Sequence, residues 1–348
     1  MTETALLALG WTAELDDHFR TTAPANARPA RVSRVDRGGV SLITDTGPLT
    51  ATLAGRLFHH PEAHVAVGDW VVLQDSRVVA ILPRRTVLQR SDAGSETIEQ
   101  AIAANVDVVF VVASLSAKLR PGRIERYLAL VWSSGAEPVL VLNKADACAD
   151  LEGAVRSATA VATGVRVHTV SAHAGSGMEA LAEECTGNRT CALVGPSGVG
   201  KSTIINFLTG DDSVATGAVR DDGKGRHTTT WRELVPLPGG GALLDTPGLR
   251  GLSLWDGGDG TFTDIAELAG QCRFTDCQHR TEPGCAILAA IHSGTLDADR
   301  LQRYRKMQRE QTWLEERKDA RARAERTAEL RANARRRNRE ARSGRRHS

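Results

Sequence analysis

The chain has 348 residues, of which 25% are charged and 41% hydrophobic, and its 44 Lys+Arg and 42 Asp+Glu give a formal net charge of +2. This balance excludes an acidic disordered chain and a uniformly basic nucleic-acid coat, and the length predicts two or three domains. No apolar run reaches the roughly 18 residues that span a bilayer, and the N-terminus lacks a basic segment followed by an apolar one. We therefore expect a cytoplasmic protein with no membrane partner.

Residues 30–90 contain five short β-rich runs separated by turn signals. This pattern predicts a small closed β-barrel, either OB-like or SH3-like, and does not choose between them. Residues 1–29 form an N-terminal extension with one candidate amphipathic helix and a linker rich in Pro and Ala. The predicted strands are Arg31–Val35, Val40–Thr44, Leu49–Leu57, Trp70–Leu73 and Val78–Leu82.

Residues 91–255 alternate apolar strands with helical stretches such as Ile124–Trp132 and Met178–Glu184. Such alternation is typical of a parallel sheet covered on both faces. After Gly251 helical patterns take over, which predicts a helical domain over 256–325 and a disordered Arg-rich tail over 326–348. The predicted strands are Val106–Ala113, Pro138–Leu142, Val165–Val170, Cys191–Val194 and Ala242–Leu244.

A G-x-x-x-x-G-K-S motif follows the strand Cys191–Val194 and opens a helical pattern, the context that a phosphate-binding P-loop requires. Its backbone amides can surround phosphate oxygens, Lys201 can reach the β and γ phosphates, and Ser202 can ligate the Mg²⁺ that accompanies the nucleotide. The alternative is a chance Gly-rich loop. The predicted phosphate-binding residues are Gly195, Pro196, Ser197, Gly198, Val199, Gly200, Lys201, Ser202 and Thr203.

The tetrapeptide Asn143-Lys144-Ala145-Asp146 ends the strand Pro138–Leu142 and fits an N-K-x-D motif. The Asp146 carboxylate can accept two hydrogen bonds from guanine, which adenine cannot offer, so the motif predicts GTP rather than ATP. The stem of Lys144 would pack along the base, and Asn143 would tie this loop to the phosphate side. The alternative is that Asp146 only caps a helix. The pair Ser171-Ala172 has the usual form of the loop at guanine O6.

The strand Ala242–Leu244 ends in Asp245-Thr-Pro-Gly248, a D-x-x-G motif. Asp245 would hold a water on Mg²⁺, and the Gly248 amide would contact the γ phosphate. The Gly-rich stretch 223–230 contains threonines that can complete the Mg²⁺ site, and we take Thr229 as the candidate ligand.

The motifs occur in a permuted order, because N-K-x-D and Ser-Ala precede the P-loop, whereas in Ras-like GTPases they follow it. At these residues, and over roughly residues 30–320, the chain resembles the circularly permuted GTPases of the RsgA (YjeQ) type. The resemblance implies an N-terminal OB-fold, a central P-loop GTPase domain and a C-terminal zinc module. It also implies GTP hydrolysis that the small ribosomal subunit stimulates, and a role in late maturation of that subunit or in release of assembly factors.

Cys272, Cys277, His279 and Cys285 offer three thiolates and one imidazole, the ligand set of one closed structural Zn²⁺ site. Their spacing differs from the C-x-x-C knuckle and matches the RsgA pattern. The alternative is three buried thiols and a surface histidine.

The Gln that orients water in Ras-like enzymes is missing, because Leu249 follows the D-x-x-G motif. His227, beside the switch threonines, is the best candidate for orienting water, and the resemblance points to the same residue. The alternatives are that His227 is an exposed polar residue in a loop, or that Arg226 steadies phosphate charge.

Residues 300–348 hold 18 Lys+Arg against 7 Asp+Glu, whereas the remainder holds 26 against 35. The basic end predicts contact with RNA, and a solvated helix with ion pairs is the alternative. We expect GTP, GDP and the small ribosomal subunit with its rRNA as partners of a monomer. The competing hypotheses are a GTP-switched rRNA-binding adaptor with incidental hydrolysis and, less favoured, an ATPase. Barrel residues that could line an RNA surface are Arg31, Arg34, Arg84, Arg85 and Arg90.

Overall fold

The computed structural model describes residues 4–36, 38–58, 64–91, 99–210, 233–245, 262–309 and 312. Described residues up to 290 form one compact unit, and those from 291 onward form a second. In this described part of the chain, no helix is both long enough and apolar enough to cross a membrane.

Five strands close into an N-terminal barrel with the order β1-β2-β3-β5-β4: β1 (Arg28–Asp36), β2 (Gly39–Thr44), β3 (Gly47–Leu53), β4 (Trp70–Gln74) and β5 (Arg77–Ile81). The parallel pairing of β3 with β5 and the closure of β1 onto β4 identify the OB-like alternative. The predicted strand Leu49–Leu57 is wrong in its second half. The Ala54 amide donates a hydrogen bond to the Val78 carbonyl. Beyond Ala54 the chain leaves the barrel and forms α3 (Gly55–Phe58).

The N-terminal extension forms two short helices, α1 (Thr4–Ala8) and α2 (Ala13–Thr22), where the sequence suggested one. Their apolar side chains belong to the core that also contains the barrel residue Trp70 and one face of the central sheet. Trp11 meets Trp70 edge to face with ring centroids 5.0 Å apart. The extension is therefore packed into the fold. Its buried residues are Leu6, Leu9, Trp11 and Leu15.

An antiparallel hairpin that the sequence did not predict, β6 (Val87–Ser91) and β7 (Glu99–Ala104), connects the barrel to the sheet. The Ala104 amide donates to the Val67 carbonyl at 2.9 Å. The approach requires Gly68, since a Cβ there would lie 2.2 Å from the Ala104 carbonyl oxygen.

Six strands form the central sheet in the order β10-β9-β8-β11-β13-β12: β8 (Val108–Ser114), β9 (Glu137–Asn143), β10 (Arg166–Thr169), β11 (Thr190–Val194), β12 (Glu233–Pro236) and β13 (Ala242–Asp245). Neighbours are parallel except at the edge, where the unpredicted β12 runs antiparallel to β13. The expectation of a wholly parallel sheet is wrong there, because a short turn, which can join only antiparallel strands, connects β12 to β13.

The two faces of the sheet carry separate helical layers. Alternate strand residues pack with α4 (Pro121–Ser133) and α5 (Leu151–Thr159) on one face. The intervening residues pack with α6 (Met178–Glu184) and α7 (Lys201–Thr209) on the other. With the barrel and the C-terminal cysteine cluster, this sheet confirms the predicted multidomain fold class.

A buried arginine joins the extension, barrel, hairpin and sheet. The Arg31 guanidinium donates to the carbonyls of Leu9, Gly68 (3.4 Å) and Asn105 (3.1 Å), and to Oγ1 of Thr190 (2.7 Å). It lies 5.0 Å from the Trp70 ring centroid, and burial lowers the pKa of Arg31 to about 10, so it stays charged at neutral pH.

The prediction that Arg31 lines an RNA surface is therefore wrong, because the second face of β1 is covered by the extension and the hairpin. Arg84 is held by the fully buried Asp69 at 2.7 Å. Arg34 and Arg85 remain partly exposed in pairs with Asp36 and Asp107. The Arg90 side chain lies outside the described residues.

The C-terminal part of the first unit contains α8 (Thr263–Ala269) and the cysteine-rich loop, and α9 (Ala286–His292) follows. The second unit contains a helical stretch over 298–309. The predicted Arg-rich tail, residues 326–348, lies outside the described residues.

Candidate functional site

The phosphate loop, residues 195–202, leaves the carboxyl end of β11 and turns at three glycines with positive φ, Gly195, Gly198 and Gly200. A Cβ at Gly195 would lie 2.4 Å from the Val112 carbonyl oxygen, so glycine allows the loop to lie directly against β8. Lys201 begins α7, and its Nζ donates to the carbonyls of Gly195 (2.9 Å) and Pro196 (2.7 Å). The ammonium thus lies across the loop whose amides would surround phosphate oxygens.

The base loop, residues 143–146, is tied to the phosphate loop by the buried side chain of Asn143. Its Nδ2 donates to the Val199 carbonyl at 2.8 Å, and its Oδ1 accepts from the amides of Lys144 (2.8 Å) and Ala172 (3.0 Å). A Cβ at Gly200 would lie 2.3 Å from Nδ2 of Asn143. One amide group therefore joins three of the predicted nucleotide-binding loops.

The Asp146 carboxylate is exposed at the same edge of the sheet and accepts a hydrogen bond from Ser171 Oγ at 2.5 Å. This hydrogen bond lowers the pKa of Asp146, so the group is ionised and acts only as an acceptor. The sequence associated Ser171 with guanine O6 but missed its contact with Asp146. That contact spans 25 residues of sequence, and no local pattern indicates it.

The D-x-x-G motif is only partly described. The backbone of Asp245 ends β13, which lies next to β11 and thus beside the phosphate loop. The side chain of Asp245, and the residues His227, Thr229 and Gly248, lie outside the described residues.

Cys272, Cys277, His279 and Cys285 come together with all four ligand atoms within 4.8 Å of one another. The Sγ atoms of Cys272 and Cys285 are 3.9 Å apart, and each lies about 3.5 Å from His279 Nδ1. A tetrahedral Zn²⁺ with bonds of about 2.3 Å to sulfur requires sulfur atoms about 3.8 Å apart, so the cluster fits zinc.

Local hydrogen bonds act on the ligands of this loop. Although burial opposes it, backbone amides of Ala286 and Ile287 lower the pKa of Cys272 and favour the thiolate, whereas burial and the neighbouring thiols raise the pKa of Cys277 to about 11. Glu282 accepts hydrogen bonds from the amides of Gln278, Arg280 and Thr281, which hold the turn that presents His279. These backbone donors lower the pKa of Glu282 to about 2.

Several known proteins are similar to this chain in sequence or in fold. Residues 81–255 match the family described as RsgA GTPase. The chain is similar to the small ribosomal subunit biogenesis GTPases RsgA of Streptomyces coelicolor (48% identity, covering 92% of this chain and 90% of that protein) and Streptomyces avermitilis (46%, 92% and 89%). Among solved structures it is similar to YjeQ from Thermotoga maritima (26% identity, TM-score 0.63, covering 81% of this chain and 97% of that chain). It also shares the fold of YloQ, a circularly permuted GTPase (22% identity, TM-score 0.59, covering 82% and 95%).

Proposed function

The chain belongs to the RsgA GTPase family and is a GTP hydrolase, and on that premise we propose that it acts in small ribosomal subunit biogenesis. In this proposal a cytoplasmic monomer binds the subunit through its rRNA, and the subunit stimulates hydrolysis of GTP to GDP and phosphate. The step is late maturation of the subunit or release of assembly factors. The supporting observation is the Asn143 side chain, which links the base loop to the phosphate loop.

In the proposed mechanism, Asp146 accepts the guanine N1–H and 2-amino donors, and Ser171 holds that carboxylate in place. The amides of residues 195–202 and the Lys201 ammonium bind the β and γ phosphates. Mg²⁺, when bound with GTP, neutralises phosphate charge, and Ser202, Thr229 and Asp245 are its proposed holders. We propose His227 as the group that orients the attacking water.

Cys272, Cys277, His279 and Cys285 are proposed to hold one structural Zn²⁺. The ligand set is closed, so the ion would stabilise the loop rather than activate water. In a segment with little apolar core of its own, metal binding should contribute to folding.

The decisive experiment measures hydrolysis of GTP and of ATP in parallel, with and without purified small ribosomal subunits. We expect turnover of GTP only, with a slow basal rate that the subunits raise. His227→Ala should lose most of the stimulation while retaining GTP affinity, and Asp146→Asn should shift preference from guanine to xanthine. Equal hydrolysis of ATP would refute the guanine specificity, and a GTPase rate that subunits do not change would refute the stimulation by the subunit.

A second candidate is a GTP-switched rRNA adaptor in which hydrolysis is incidental, and it is favoured by Leu249 at the position of the water-orienting Gln. Release of bound subunits should be compared with GTP and with a non-hydrolysable analogue. Equal release with both nucleotides would favour the adaptor. Release with GTP alone would favour the GTPase whose hydrolysis is required for release.

A further inference from the structure

A cavity of about 340 Å³ lies beside the phosphate loop, on the side away from α7. Its walls are the end of β8, the loop 115–120, the first two turns of α4, and residues Pro196–Val199. α4 and α7 pack on opposite faces of the sheet, so the cavity opens on the α4 face. Its volume is within the range of small-molecule and nucleotide sites, roughly 300–1,000 Å³.

The proposed nucleotide site and this cavity share only part of the phosphate loop. The base loop, Ser171, and the residues Lys201 and Ser202 are all absent from the cavity lining. GTP bound through those groups would leave the cavity open. A second ligand there would touch Pro196–Gly198 and would therefore lie next to the triphosphate.

The lining combines an apolar floor with a cationic rim. Val112, Ala113 and Ile124 contribute to the floor, and the Tyr127 ring lies beside them. The rim carries the exposed cations Lys118, Arg120 and Arg123. Among the described residues, no carboxylate lines the cavity or lies within 4.0 Å of these three cations.

This cationic set contrasts with residues 1–299 taken as a whole, where acidic residues outnumber basic ones by 35 to 26. Three cations without an acidic neighbour among the described residues create a positive potential at the opening, which favours an anionic ligand. An aromatic ring with arginines at the same opening is the combination that binds an unstacked base together with its phosphate.

We propose that this cavity binds a phosphate-bearing nucleotide of the ribosomal RNA, and that its occupation is the contact through which the small subunit stimulates hydrolysis. The inference rests on the proposed function. It names the surface and the ligand chemistry that the family name does not specify.

The first test compares wild-type protein with Arg120→Ala/Arg123→Ala and with Lys118→Ala. Arg126→Ala is the matched control, because it removes an exposed charge from α4 outside the cavity. GTPase rate is measured against subunit concentration at several salt concentrations, after circular dichroism has established that each variant folds. GTP affinity and basal rate should stay unchanged.

For the double variant, the subunit concentration that gives half-maximal stimulation should rise roughly tenfold. The slope of its logarithm against log salt should fall by about 2, one for each lost phosphate contact. A stimulation curve identical to that of wild type would overturn the inference alone. Absence of stimulation in the wild-type chain would refute the proposed function as well.

The second test separates RNA from a protein partner. A photo-crosslinking amino acid replaces Ala117, an exposed residue of the cavity lining, and the full chain is irradiated on purified subunits. Crosslinks to rRNA that Arg120→Ala/Arg123→Ala removes would support the inference. Crosslinks to ribosomal proteins alone would overturn it.

Discussion

Where β11 begins, Thr190 and the polar groups that contact it are mostly buried and paired, whereas where β11 finishes the charged groups of the nucleotide-binding loops are exposed or half-buried. Thr190 starts the strand, donates its amide to Asp107 at 2.7 Å and accepts from Arg31 at 2.7 Å. Beyond Val194 the chain enters the phosphate loop, which contains the half-buried Lys201. The base loop beside it carries the exposed Asp146 and the buried Asn143, which ties the two loops together. The first end fixes the domains, and the second offers binding groups to a ligand.

One short strand, β11, connects these two ends of the sheet. Thr190 and Val194 are separated by about 13 Å at a rise of about 3.3 Å per residue. The strand is buried throughout and pairs with neighbours on both sides. We therefore expect substitutions at the two ends to have different effects. Those at the carboxyl end should lower GTP turnover but not stability, and those at the starting end should lower stability but not GTP turnover.

The largest effect is expected at the carboxyl end. Lys201→Ala removes the ammonium that would bind the β and γ phosphates, and it should lower GTP turnover at saturating GTP by about 100-fold or more. The melting temperature should change by no more than about 2 °C, because the lost contacts are to loop carbonyls near the surface. Arg156→Ala on α5 is the control and should leave both quantities unchanged. Unfolding of Lys201→Ala would contradict the separation.

Arg31→Met tests the starting end. It leaves the carbonyls of Leu9 and Asn105 and the Thr190 hydroxyl without their donor in a buried space, so we expect a loss of about 3–5 kcal/mol in the free energy of unfolding. Denaturation followed by tryptophan fluorescence is the suitable measurement, because Arg31 lies over Trp70.

The control for that prediction is Arg34→Met on the same strand, whose partly exposed pair with Asp36 should contribute less than about 1 kcal/mol. Below its melting temperature, Arg31→Met should hydrolyse GTP at close to the wild-type rate. Equal destabilisation by Arg31→Met and Arg34→Met would show that the buried hydrogen bonds of Arg31 contribute no more to stability than a partly exposed ion pair.

Thr190→Val is the finer version of the same test. Valine keeps the shape of threonine and β propensity but removes the acceptor for Arg31, so the free energy of unfolding should fall by about 1–2 kcal/mol. The matched control is Thr169→Val, near the end of edge strand β10. A drop in GTP turnover without a drop in stability would place the residue in the nucleotide machinery instead.

The same contrast explains what the sequence could predict. The nucleotide-binding end consists of contiguous motifs, since residues 143–146 and 195–203 each carry their chemistry within one loop, and β8, β9, β11 and β13 each contain a continuous apolar run. The contacts of Arg31 at the starting end join residues that are 22 to 159 positions apart in the sequence. The sequence pattern therefore indicated only an ordinary exposed strand residue at Arg31. Ala30, Val32 and Ser33 are buried beside it, a continuous burial that strand alternation alone does not indicate.

The smallest effect concerns an ion-pair network at the starting end of β9 and β10. Hydrogen bonds from Arg166, opposed by burial and aided by Arg189, lower the pKa of Glu137. Burial raises the pKa of Glu184, but hydrogen bonds from Arg166 and His168 outweigh it and the net pKa is lowered. Both carboxylates therefore bind protons less readily in the folded than in the unfolded chain, and their stabilisation is present above the unfolded pKa of about 4.3 and lost as pH falls through the folded values.

Because Glu137 is partly exposed, solvent screens the network, and Glu137→Gln should lower the melting temperature at pH 7 by only roughly 1–2 °C. At pH 3 the wild-type and variant curves should converge, since the wild-type carboxylate is then losing its charge as well. Glu152→Gln, in an exposed pair on α5, is the control and should change little at either pH. A difference between wild type and Glu137→Gln that widens at low pH would show that the network does not stabilise this end of the sheet through its ionised carboxylates.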